Sequence, residues 1–146
     1  MIRPFRGLHP QIHDTAYVDP SAQVIGDVHL GEEASIWCNC TVRGDIHFIR
    51  IGARANVQDN SVIHVRKGTH PTILEEEVTV GHSVTLHGCY VERGSLIGIG
   101  AILLDDVRMR WNFLEKSYFF WNFYPIARNG LCHGCFDNFH SHWPTC

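Results

Sequence analysis

The 146-residue sequence predicts an all-β fold, a stacked solenoid, on three observations. An aliphatic residue recurs every six positions, at Val18, Val24, Leu30, Ile36 and Val42. A small or slim residue stands four places after most of the aliphatic ones, at Ala22, Val28, Ala34, Cys40, Ala55, Ser61, Val84, Ser95 and Ala101. The register also survives three interruptions and resumes after each. A fixed short period, with a large residue turned inward and a small one behind it, marks a chain that winds on itself and buries each coil against the next. The alternative is a β-sandwich with irregular strands, but nothing in that fold would keep one period for so long.

Taken in order, the first run ends at Val42. After a three-residue slip the count resumes at Ile51, Val57 and Ile63. After a loop it resumes at Leu74, Val80 and Leu86, and after a one-residue deletion at Val91, Ile97 and Leu103. The repeat therefore defines a domain over residues 1–107, followed by a divergent tail over 108–146.

The period resembles that of hexapeptide-repeat proteins, whose fold is a left-handed parallel β-helix with three flat faces per coil. On that geometry, counting hexads puts Val24, Val42, Ile63, Leu86 and Leu103 on a first face. Val18, Ile36, Val57, Val80 and Ile97 fall on a second, and Leu30, Ile51, Leu74 and Val91 on a third. His64 and His87 take the place after the aliphatic residue on the first face, one coil apart. Paired strands lie about 4.8 Å apart. Two imidazoles at that separation can converge on one ion with Zn–N bonds of about 2.0–2.1 Å. His82 takes the third place on the second face, around a corner, and points away from the other two. Two readings follow. His82 is an unrelated surface histidine beside a stacked pair, or it completes the pair on another subunit of a threefold assembly.

The chain also carries Val42-Arg43-Gly44-Asp45, Ile51-Gly52-Ala53-Arg54-Ala55-Asn56-Val57-Gln58-Asp59, Ile63-His64-Val65, Val80-Gly81-His82 and Leu86-His87-Gly88-Cys89. In this order and spacing the motifs resemble the gamma-class carbonic anhydrase family, over about residues 5–107. The resemblance implies that His64, His82 and His87 bind a metal: zinc, with iron(II) or cobalt(II) as alternatives. It implies that Gln58 contacts the nucleophile or bicarbonate, that Asn56 helps orient it, and that Arg43, Asp45 and Asp59 form an ion-pair cluster across a subunit boundary. The partners it implies are carbon dioxide and bicarbonate, and the assembly a homotrimer. The activity is that of a carbonate dehydratase, a lyase.

Two features depart from the archetype of that family. Ile46 stands where the archetype has a glutamate, and the short loop Arg66–Thr72 replaces its acidic loop. His70, within that loop, is a titratable group that could relay protons. A hexapeptide-repeat acyltransferase and a non-catalytic metal-binding scaffold are the competing functions, since the fold alone does not separate them.

A net charge of −3 with no basic stripe argues against nucleic acid and anionic membrane as partners. The longest apolar run, Leu96 to Leu104, is too short to span a bilayer. No export signal is expected from the polar stretch after Met1, which points to the cytoplasm. Cys40 is expected to be buried, and Cys38 and Cys89 to be reduced structural thiols.

The tail is crowded with aromatic residues and holds no six-residue register. It reads as a cap over the open end of the solenoid or as a shifted reading frame, with a short helix around Leu114–Phe123. Cys132 and Cys135, with His140, His142 and Cys146, are candidates for a second zinc site, although their gaps fit no common pattern well.

Overall fold

A computed structural model describes residues 1–110. The expectations for the tail beyond them, namely the cap or shifted frame, the helix at 114–123 and the Cys132–Cys146 zinc site, lie outside the described residues.

Every described strand pairs with its neighbour in the parallel sense, one coil on the next, and the result is a left-handed parallel β-helix. The three stacks follow the hexads. On the first face Val24 pairs with Val42, Val42 with Ile63, Ile63 with Leu86 and Leu86 with Leu103. On the second, Val18, Ile36, Val57, Val80 and Ile97 stack in that order. On the third, Leu30, Ile51, Leu74 and Val91 stack, and Met109 extends the pile by one more coil. Solenoid pairing therefore continues two residues past the point where the aliphatic count was taken to stop.

Most of the stacked aliphatic side chains are fully buried and form one continuous core. The fourth-place residues Ala22, Ala34, Cys40, Ala55, Ser61 and Val84 are also buried. They sit at the inner corners of the prism, where there is little room. Burial raises the pKa of the Cys40 thiol, and it pushes the Cys89 thiol up to about 12, so both stay protonated.

The corners have a backbone rule of their own. The residue three places after the aliphatic one adopts a left-handed conformation at Glu33, Asn39, Arg54, Asn60, Glu77, Ser83 and Asp106. Gly94 and Gly100 fill the same place elsewhere. A positive φ reverses the chain tightly enough to start the next flat face.

The three-residue slip has a simple structural result. Gly26 faces Gly44 and Val28 faces Ile49, so Asp27 alone stands opposite Asp45, Ile46, His47 and Phe48. The extra residues bulge outward at the corner between the first and third faces. Strands Gln23–Leu30 and Thr41–Ile51 run around that corner, which joins the two faces into one ten-stranded sheet. Gly44 permits the close approach: a Cβ there would lie 2.4 Å from the Asp27 carbonyl oxygen.

Because each coil touches only its neighbours, a cavity beside the site should weaken the stack locally. Ile63 is fully buried between Val42 and Leu86. Ile63→Ala is expected to cost about 2–5 kcal/mol of unfolding free energy. Denaturant unfolding checks this, and a loss below about 1 kcal/mol would show that the interior is not packed as described.

Candidate metal centre

His64 closes the strand Val62–His64 and His87 closes the strand Thr85–His87. The two residues are direct register partners. Their rings are 5.1 Å apart between centroids and tilted by 57°. A buried hydroxyl holds the two strand ends together. Thr72 Oγ1 donates to the His64 carbonyl at 2.5 Å and accepts from the Gly88 N–H at 3.0 Å. The site thus begins on a rigid platform, not on a loop tip.

Below His64 in the same stack is Arg43. Arg43 donates a short hydrogen bond to Asp45, and the other oxygen of Asp45 accepts from His64 Nε2 at 2.8 Å. Burial pushes the Asp45 carboxyl up, but the hydrogen bonds from His64 and Arg43 outweigh it and leave the group below the usual carboxylate range. Ile46 follows at the bulged corner and is exposed.

His82 lies on the second face, as the hexad count places it. Its Nδ1 is 3.0 Å from Asp59 Oδ2, and Asp59 is the residue stacked beneath it. The His82 side chain is 48% exposed, against 17% for His64. Trp37, Asn56, Gln58, Asp59 and His82 line one shallow cleft. The Asn56 amide donates to Ser35 Oγ at 2.8 Å, which fixes its direction.

One chain therefore brings together His64, His87, Arg43 and Asp45, and separately His82, Asp59, Gln58 and Asn56. It does not join the two groups, and Asp59 pairs with His82 rather than with Arg43. Among the described residues, no three His, Cys, Asp or Glu side chains gather closely enough to hold a metal ion.

Two participants were missed by the sequence reading. Asp105 Oδ1 accepts from His87 Nδ1 at 2.7 Å, and Thr72 binds the two strand ends. Leu103 pairs with Leu86, so the register does put Asp105 one coil above Gly88. The direction of its side chain is not periodic information. His70 packs beside Gly88, and its Nδ1 bonds to Thr69 Oγ1 at 2.9 Å.

The donor set suits a divalent metal that takes nitrogen ligands. Each of the three imidazoles has a carboxylate against one nitrogen, hydrogen-bonded at His64 and His87 and within 3.0 Å at His82, which leaves the other nitrogen free. This is the usual condition of a metal-ligating histidine.

A parallel β-helix whose corners carry carboxylate-paired histidines defines a hexapeptide-repeat protein with a candidate metal centre. Residues 9–44 match the family model described as bacterial transferase hexapeptide (six repeats). The chain is 50% identical over 103 residues to gamma carbonic anhydrase 1, mitochondrial, of Arabidopsis thaliana, covering 67% of this chain and 38% of that protein. It is 45% identical to protein YrdA of Escherichia coli, covering 72% and 60%, and 47% identical to a carbonic anhydrase of Geobacillus kaustophilus, covering 72% and 57%. The chain thus spans between 38% and 60% of the length of these curated relatives.

Among solved structures, a Bacillus cereus protein described as a candidate acetyltransferase superposes with a TM-score of 0.71 at 43% identity, covering 73% of this chain and 62% of that one. A hexapeptide transferase family protein from Anaplasma phagocytophilum does so with a TM-score of 0.56 at 31% identity, covering 72% and 75%. The chain belongs to the gamma carbonic anhydrase-like family of hexapeptide-repeat proteins.

Proposed function

We propose that this protein is a gamma-type carbonic anhydrase, a metal-dependent catalyst of carbon dioxide hydration that works as a homotrimer. The observation that carries the reading is the placement of three carboxylate-paired imidazoles. Two are stacked on one face, and the third, half exposed, lies around a corner where a second chain can reach it. The relatives named as carbonic anhydrases support it.

In this reading His64 and His87 of one subunit, with His82 of its neighbour, hold the metal. Zinc suits three imidazoles best, with iron(II) or cobalt(II) as alternatives. When bound, zinc makes water acidic enough, with a pKa near about 7, to supply a nucleophile for carbon dioxide.

The chain's own residues do the rest. Asp45 and Asp105 accept a hydrogen bond from a ring N–H of His64 and His87, Asp59 lies against His82 Nδ1, and each carboxylate so sets which nitrogen is left for the metal. The Gln58 amide, on the His82 face, fixes the direction of the nucleophile, and Asn56 supports it from the same cleft. Arg43 and Asp45 of one subunit meet Asp59 of the next, because Arg43 lies one coil below His64 and Asp59 one coil below His82.

One coil above, the same step brings Ile99 to Leu104. Ile99 follows His82 in its stack and Leu104 follows His87. These side chains are 62% and 50% exposed in the single chain. An apolar contact there closes the interface above the histidines and excludes water from a site whose substrate is nonpolar.

Acyl transfer is the second reading, favoured by the superposition on the candidate acetyltransferase, although that fold serves several chemistries. Purified protein is expected to carry metal, to hydrate carbon dioxide, and to lose that activity on chelation and regain it with zinc. Stopped-flow hydration with elemental analysis is the measurement. A well-folded, metal-free monomer would overturn the reading.

A further inference from the structure

We propose that Asp105 is a positioning residue for His87 and that Arg66 ties the short 66–70 loop into that task. The inference rests on the reading of His87 as a metal ligand.

Asp105 Oδ1 accepts a hydrogen bond from His87 Nδ1 at 2.7 Å, and its Oδ2 accepts from Arg66 Nη1 at 3.3 Å. A carboxylate on Nδ1 keeps the proton there, so Nε2 carries the lone pair and the ring cannot turn freely. Asp105 comes from the coil above its histidine, whereas Asp45 and Asp59 come from the coils below theirs. The ligand pair on the first face is thereby gripped from both sides.

The sequence makes room for this contact. Leu86 and Val91 are five residues apart instead of six, and the shortened corner turns on Gly88, with φ of +62°. A Cβ at position 88 would lie 2.5 Å from Asp105 Oδ1 and 2.9 Å from His70 Cβ. Any side chain there would displace the carboxylate. The deletion, the glycine and the aspartate therefore act as one device.

The loop adds the last part. The Arg66 N–H donates to the His70 carbonyl at 3.0 Å, which closes the turn and aims the Arg66 guanidinium at Asp105. The segment that stands in place of an acidic loop thus supplies a cation to the carboxylate behind a ligand.

The test uses the full chain and zinc itself. Zinc affinity is measured by competition with a chromophoric chelator for wild type, Asp105→Asn and Arg66→Gln. Particle mass and thermal unfolding are followed in parallel, as is the nitrogen NMR signal of the histidine rings. Asp105→Asn is expected to weaken zinc binding by about 10–100-fold with the assembly intact. It should also lose the signature of a proton held on His87 Nδ1. Arg66→Gln, at an exposed position outside the core, is expected to weaken binding in the same direction by less, and it serves if the first variant fails to fold. Wild-type affinity in the variants, with an unchanged His87 signal, would overturn the inference while leaving the metal site standing. Wild-type protein that binds no zinc would overturn the site reading, and this inference with it.

Discussion

Mixing His82→Ala chains with His64→Ala/His87→Ala chains is expected to create zinc sites that neither variant holds alone. The single chain keeps His82 on one face and the His64–His87 pair on the next. A His82→Ala trimer lacks the third ligand at every site, and the double variant lacks the other two. After co-refolding, a mixed trimer has one boundary at which the double variant offers an intact His82 to the intact pair of the other chain. One of its three sites is then complete, and zinc and hydration activity return in proportion. Losing one imidazole from a three-ligand site removes most of the affinity, so the contrast with the parent variants should be at least an order of magnitude. Elemental analysis of tagged, separated mixed trimers is the readout. No recovery of metal would mean that the three histidines do not share a site between chains.

The second large effect is expected at Ile99. Ile99→Asp is predicted to convert the trimer to monomer and to abolish zinc binding without touching a ligand. In the proposed assembly the new carboxylate would be buried against Leu104 with no partner, at a cost of several kcal/mol per interface. In the isolated chain Ile99 is exposed, so the fold itself should tolerate the change. Sedimentation and thermal unfolding separate the two outcomes. An unaltered trimer would show that this corner does not face a neighbour, and the argument that brings His82 to the pair would fall with it.

Much of the fold was legible because the signal repeats. Val42, Ile63 and Leu86 each carry little information alone, but a constant interval turns them into one pile. The same interval placed His64 opposite His87 and Asp59 beneath His82. The irregular parts were less legible. The slip after Val42 announced an insertion but not that Asp45 would turn back to His64. The missing residue before Val91 announced a short corner but not that it clears space for Asp105. Thr72 gave no sign that its hydroxyl would bridge the two histidine strands, since it reads as an ordinary strand residue.

What the sequence determined by itself was the set of faces and the residues on each. In an extended chain the side-chain direction is fixed by position, so a steady count is already a coordinate. What only the tertiary structure decided was which carboxylates grip His64 and His87, and through which nitrogen. Those contacts join residues 18 or 19 positions apart across corners. There the backbone leaves the period, and local sterics and hydrogen bonds set the direction of each side chain.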